Sequence, residues 1–179
     1  MEVLMELECE KNHLVQALQV VSRAINPRSP LPILSHVLFQ SRGEQLSCTA
    51  TDLDFGVVIS VPASGIDSGS VACPARLLGD IVAKLPGAPV RLKAQQDGRL
   101  HLHCGRSKFE ISTLPAEEFP GIPQPGDLPQ VGAPQRLLKS AIRRVAFATA
   151  SSEESRAVMT GVYTHIDGSQ LTLVATDGR

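Results

Sequence analysis

A chain of 179 residues has room for one ordinary domain or for one and a half small ones. At 42% apolar and 20% charged it carries enough hydrophobic surface to exclude a disordered chain. Its 17 basic residues against 18 acidic ones exclude a globally basic, histone-like binder and leave open a locally basic surface. In chain order, Val3–Glu8 alternates as a strand does, and Lys11–Ala24 has the apolar spacing of a helix. Three further strand-like runs follow at Ile33–Gln40, Gln45–Asp52 and Phe55–Val61. The order then recurs: Ser70–Cys73 as a strand and Ala75–Leu85 as a helix, followed by strands Val90–Ala94, Leu100–Cys104 and Phe109–Leu114. Pro86-Gly87 and Asp97-Gly98 mark the turns. Each half therefore reads β-α-β-β-β, and residues 1–120 make one domain of normal size.

Residues 120–134 hold five prolines and three glycines, which neither a helix interior nor a central strand tolerates. The stretch 121–134 reads as an inter-domain linker, and 135–179 as an incomplete second domain with a helix at Gln135–Ala148 and strands at Val158–Ile166 and Gln170–Thr176. That domain repeats the first. Shifted by 125 positions, residues 32–52 lie on 157–177 without a gap, with seven identities in 21 positions, ending in Ala-Thr-Asp on both copies. A shift of 124 lays Leu14, Ala17, Leu18, Val21 and Ala24 on Leu138, Ala141, Ile142, Val145 and Ala148, the same amphipathic helix met twice.

Several motifs carry little chemistry. Asp54-Phe55-Gly56 spells a kinase triplet without the rest of that set, and no nucleophile elbow, phosphate loop or zinc-protease motif occurs. His101 and His103 alternate on one strand face with no third ligand nearby, so no metal or other cofactor is expected. Cys9, Cys48, Cys73 and Cys104 lack metal-ligand spacing and read as small buried residues of a reducing compartment. Asp52 and Asp177 suit a structural turn better than an acid–base pair. The first twelve residues carry four glutamates and no basic residue before Lys11, unlike a secretory signal, and no window of ~18 apolar residues could span a membrane. The expectation is a cytoplasmic protein. With aromatic residues at 3%, base stacking on aromatic platforms is disfavoured.

The helix faces say more. Arg136, Lys139 and Arg143 fall within about 60° of one another, Arg144 flanks them, and helix 135–148 contains no acid. Asn12, Gln16, Gln19 and Arg23 share the polar side of the first helix, again without an acid. Arg76, Asp80 and Lys84 at i, i+4 spacing read as an ordinary salt-bridged face. An acid-free basic stripe in a net-acidic protein fits phosphate contact as well as plain solvation.

Repeated β-α-β-β-β units, Arg28-Ser-Pro-Leu-Pro-Ile-Leu34, Ala50-Thr-Asp-Leu-Asp54, Cys73-Pro-Ala-Arg76, Gly105-Arg-Ser-Lys-Phe109, residues 112–120 (STLPAEEFP) and residues 174–179 (VATDGR) together resemble the bacterial β sliding clamp family. Its members are processivity subunits of the replicative DNA polymerase, DNA polymerase III. The resemblance implies an α+β DNA-clamp fold, with sheets outside and helices lining a ring that two three-domain subunits close head to tail. It further implies a non-catalytic protein that encircles double-stranded DNA without reading bases, and that meets the replicative polymerase and the clamp loader. DNA contact would fall to Arg136, Lys139 and Arg143 and, by resemblance, to Arg28 and Arg76. Met159, Thr176, Gly178 and Arg179 match one wall of the pocket that takes a partner's hydrophobic peptide. Phe109 and Ile111, with Arg106 and Lys108, match the edge where subunits of the homodimer meet. A β-rich adaptor without DNA contact, or an enzyme using Asp52 and Asp54, are the other readings the residues leave open.

Overall fold

A computed structural model describes residues 3–26, 29–123, 131–151 and 157–178 of the chain. The chain divides into two compact units, Met1–Gln124 and Pro125–Arg179. In the first, strand β1 (Val3–Cys9) leads into helix α1 (Lys11–Val21), which tightens into a 3-10 turn at Ser22–Ala24. Strands β2 (His36–Arg42), β3 (Gln45–Thr51), β4 (Gly56–Pro62), β5 (Ser64–Asp67) and β6 (Gly69–Pro74) follow. Helix α2 (Ala75–Lys84) and strands β7 (Val90–Gln95), β8 (Arg99–Cys104) and β9 (Ser107–Ser112) complete the unit.

All strand pairs are antiparallel, in two sheets ordered β5-β1-β7-β8-β9 and β4-β3-β2-β6. The opening strand of each half belongs to the other half's sheet. β1 pairs with β7, Leu7 opposite Leu92, while β6 pairs with β2, Cys73 opposite Val37. Alternation explains the layering, because successive side chains point to opposite faces. Met5, Leu7, Val37, Phe39, Leu92 and Leu102 are fully buried on the inward faces, where α1 adds Leu14, Ala17, Leu18 and Val21 and α2 adds Leu78 and Val82. Each such leucine or valine contributes about 1.5–3 kcal/mol relative to exposure. All four cysteines are buried free thiols, as the sequence suggests. Burial pushes the Cys9 thiol up to about 12 and those of Cys48 and Cys73 higher still, so they stay protonated.

Three elements differ from the sequence expectation. The strand expected from Ile33 begins at His36, because Pro32–Ser35 forms a 3-10 turn in which the Ser35 hydroxyl donates to the Pro32 carbonyl at 2.7 Å. The last strand ends at Ser112 rather than Leu114, and Leu114 forms a single bridge with Ala72. Strand β5 has no hydrophobic alternation to announce it; it is held by pairing with β1 and by the Gly65 N–H donating to the Gly43 carbonyl at 3.1 Å. The two apolar residues that the resemblance matches to a subunit edge, Phe109 and Ile111, differ in burial. The Ile111 side chain is 2% exposed and points into the core, leaving only Phe109, 39% exposed, accessible on that side of β9. Beside an edge strand, the residue next to the hairpin end is open and the one deeper in the sheet is not.

The second unit contains helix α3 (Gln135–Val145), a 3-10 turn at Ala146–Ala148, another at Ala157–Thr160, and a hairpin of β10 (Tyr163–Asp167) and β11 (Gln170–Val174). The turn at Ala157–Thr160 replaces the start of the strand expected from Val158. The sequence shifts are reproduced in space. Thr160 donates to the Ala157 carbonyl at 2.8 Å as Ser35 does to Pro32, and Gly43 and Gly168 turn the equivalent hairpins at φ +56° and +53°. Of the proline-rich stretch 121–134, residues 124–130 lie outside the described residues, and the remainder has no regular secondary structure.

Two glycines test the packing. A Cβ on Gly69 would sit 1.7 Å from the Leu4 carbonyl oxygen, whereas one on Gly79 in α2 would meet nothing within 4 Å. Gly79→Ala is expected to stabilise by roughly 0.5–1 kcal/mol through helix propensity, and Gly69→Ala to destabilise by more than that, in urea titrations. Ile111→Ala should cost about 2–5 kcal/mol as a core truncation and Phe109→Ala clearly less. Equal costs for the two would contradict the placement of Ile111.

Candidate nucleic-acid interface

Helix α3 presents its cations on an open face. Arg136, Lys139 and Arg143 are exposed at i, i+3, i+7, while Leu138, Ala141 and Val145 occupy the half-buried side. None of the three forms an ion pair with a described residue. Arg143 and Arg144 lie in the last turn, where the helix's own partial negative charge favours them. Arg136 lies in the first turn, where that dipole opposes a cation, so helix electrostatics do not account for it. Among the described residues the stripe is positive charge without an ion-paired acid.

In the first unit, Arg76 is exposed in the opening turn of α2. The salt-bridged face expected from Arg76, Asp80 and Lys84 does not form; no ion pair links them within 4.0 Å. Gln19, Ser22 and Arg76 line a groove between α1 and α2 floored by Leu18, Ile25 and Ala75. Lys11 joins the two helices, its Nζ donating to the carbonyls of Ala83, at 3.3 Å, and Leu85. Sequence reasoning missed that link. Its one signal is a lysine at a helix N-terminus, wrong for its own dipole and right for the C-terminal carbonyls of another helix. Arg28 and Arg179 lie outside the described residues.

On the outward face of the five-stranded sheet several charges are paired. The Glu6 side chain, 6% exposed, is held by Lys93 at 3.0 Å and by Arg91, and these partners lower its pKa against the opposing effect of burial. Arg99 pairs with Glu110, and His101 hydrogen-bonds Gln95 at 3.2 Å. These contacts absorb His101 as a structural residue, and among the described residues no group of three or more His, Cys, Asp or Glu is arranged to hold a metal ion. Asp52 serves its turn: its Oδ1 accepts from the backbone of Asp54 at 3.1 Å and Phe55 at 2.7 Å.

Three of the residues assigned to the partner-peptide pocket are brought together. The Gly178 N–H donates to the Thr176 hydroxyl at 3.0 Å, and a Cβ on Gly178 would lie 3.3 Å from the Met159 sulfur. The first unit contains the same turn, with the Leu53 N–H on Thr51 Oγ1 at 3.0 Å and φ of +83° against +86° at Gly178. A glycine relieves the left-handed strain in the second copy and leaves room for the Met159 sulfur. Lys108 and Phe109 are displayed on β9, the outer strand of its sheet, and Arg106 in the turn just before it. Among the described residues no helix is long and apolar enough to cross a membrane.

Comparison with known proteins follows the same division of the chain. The family model for the DNA polymerase III beta subunit, N-terminal domain, matches residues 5–123, and that for its central domain matches residues 133–179. The beta sliding clamp of Vibrio cholerae is 37% identical over 175 residues, covering 97% of this chain and 48% of the relative. That of Bacillus subtilis is 31% identical over 181 residues. The crystal structure of the Bacillus subtilis sliding clamp superposes with a TM-score of 0.90 at 30% identity, and the Pseudomonas aeruginosa clamp bound to griselimycin with 0.87 at 34%; each match covers 97% of this chain and 47% of the other. The chain thus spans about half the length of the curated relatives it matches. With both domain models matched in order and the fold shared throughout, the chain belongs to the DNA polymerase III beta subunit family of bacterial sliding clamps and has the DNA-clamp fold.

Proposed function

We propose that this chain is the DNA-facing portion of a sliding clamp that holds duplex DNA without reading its sequence and tethers the replicative polymerase. The observation that carries the reading is the acid-free face of α3, with Arg136, Lys139 and Arg143 exposed and unpaired among the described residues. Lysine and arginine on a helix touch phosphates, which are the same for every base pair, so such contact positions a protein without specifying a site. Arg76 adds a cation of the same kind, and Arg28 completes the proposed set. The role is that of a processivity factor in the cytoplasm, with binding and no chemistry of its own. Met159, Thr176 and Gly178, joined by Arg179, form part of the wall that takes a short hydrophobic peptide from the polymerase or the clamp loader. Lys108, Phe109 and Ile111 on β9, with Arg106 in the turn before it, belong to an edge for a second subunit.

Fluorescence anisotropy of the 179-residue chain on two unrelated duplexes, across a salt series, tests the central part. Affinity is expected to fall linearly with the logarithm of salt, equally for both sequences. Replacing Arg136, Lys139 and Arg143 by glutamine should flatten the slope by about 0.9 for each phosphate that is no longer neutralised. An unchanged slope would assign those residues to a merely solvated face, and a preference for one duplex would contradict backbone-only contact.

A further inference from the structure

The outward face of the five-stranded sheet is a grid whose rows follow from the strand register. One row runs Glu6, Lys93, His101, Glu110 across β1, β7, β8 and β9, so each basic group has an acid beside it. The next row runs Glu8, Arg91, His103, Lys108 and sets three basic side chains next to one another. Directly opposite side chains stand about 4.5–5.5 Å apart at Cβ, and like charges there destabilise a sheet. His103 and Lys108 are exposed, and neither forms an ion pair with a described residue. Glu8 does not correct the imbalance. It stands opposite Arg91, but the guanidinium turns to Glu6, its Nε donating to Oε1 at 2.7 Å.

Glu6 gathers two cationic heads in one place. Its side chain, 6% exposed, takes Arg91 and Lys93 together and offsets one of their two charges. A guanidinium has five N–H donors and an ammonium three, more than the lone pairs of one carboxylate can accept. Arg91, Lys93 and His103 line one recess, with the ring of His101 beside them. The same recess holds Arg99, paired with Glu110, and Asp97, whose Oδ1 accepts from the Arg99 backbone at 3.2 Å. With both imidazoles neutral its formal charges cancel, and each imidazole that protonates adds one positive charge. Lys93, Gln95 and Glu110 face His101 from β7 and β9, and Arg91 and Lys108 face His103. An anion seated between Arg91, Lys93 and His103 would offset the like charges that the bare row sets side by side.

We propose that this recess is a proton-linked binding site for a tetrahedral oxyanion of the phosphate type, held by Arg91, Lys93 and His103. The guanidinium and the ammonium supply fixed charge, and the imidazolium of His103 supplies a further donor and the pH dependence. Affinity falls as pH rises, because the neutral ring withdraws one positive charge. The ion is either free phosphate or the phosphate group of a larger molecule such as a nucleotide. The site is independent of the DNA-facing reading, whose cations lie on α3 in the second unit.

NMR of the 179-residue chain provides the test, with sodium sulfate added against sodium chloride at matched ionic strength. Sulfate stays a dianion across the range where imidazoles titrate, so any pH dependence belongs to the protein. At about pH 6 the His103 ring signal is expected to shift saturably with sulfate, while those of His13, His36 and His165 follow the chloride control. At about pH 8 the affinity should be about tenfold weaker. In variants the backbone amides of β7 and β8 carry the readout. His103→Gln should abolish the pH dependence, and Arg91→Gln should weaken binding about tenfold at the lower pH. Circular dichroism checks the fold, and Lys93→Gln takes the place of Arg91→Gln should that variant unfold. Titration with inorganic phosphate and with a nucleoside monophosphate separates the two sources: tighter binding of the nucleotide assigns a phosphate carried on a larger molecule, and equal binding the free ion. A His103 signal that moves with sulfate no more than with chloride, equal movement of all five imidazoles, or a pH dependence that survives His103→Gln would overturn the proposal.

Discussion

The first unit depends on an exchange of strands. β1 opens the first half of the chain yet completes the sheet of the second, and β6 does the reverse. Neither half can bury its inward face or satisfy its backbone alone, since β7 needs β1 and β2 needs β6. The exchange places Leu7 opposite Leu92 and Met5 opposite Ala94, and Cys73 and Val71 opposite Val37 and Phe39, so that both halves share one core. It also sets the two helices side by side, where Lys11 closes on the end of α2. The tightness at Gly69 follows: the chain enters β6 against the backbone of β1, too close for a Cβ.

That scaffold separates two kinds of surface. The outward face of the five-stranded sheet carries opposite charges in contact, Glu6 with Lys93 and Arg91 and Glu110 with Arg99, which offset one another. Helix α3 in the second unit carries cations with no acid on the helix. A net charge of −1 therefore coexists with a basic face, because the acids lie elsewhere. Sequence-independent contact with phosphates needs only such a face on a rigid element. The paired turns at Leu53 and Gly178 show how one repeat is adapted. The φ angles agree, and glycine in place of leucine keeps a Cβ from pressing on the Met159 sulfur.

Much of this was legible in the sequence, for identifiable reasons. The 125-residue shift lays Gly43 on Gly168, and their φ angles agree because hairpin geometry is set by local turn chemistry. The helices were legible because their apolar stripes are regular, as at Leu14, Ala17, Leu18 and Val21. Strand β5 was not legible, because Ser-Gly-Ile-Asp is shaped by pairing with β1 rather than by its own pattern. Nor was the strand exchange, since both the exchanged and the unexchanged arrangement bury the same alternating residues. Periodicity put Phe109 and Ile111 on one face but did not give the depth that buries Ile111 and leaves Phe109 partly open. For the interface, the cationic stripe of α3 was visible from spacing alone. The broken expectation at Arg76 and Asp80 shows that i, i+4 spacing permits an ion pair without compelling one.

Native-state hydrogen exchange of the first unit tests the strand exchange most directly. If the halves are welded by β1 and β6, the protected amides of β1, β2, β6 and β7 will open together, with one free energy equal to that of global unfolding. Protection lost in β2 and β3 at a lower free energy than in β7 and β8, or the reverse, would mean that each half stands alone and would contradict the account.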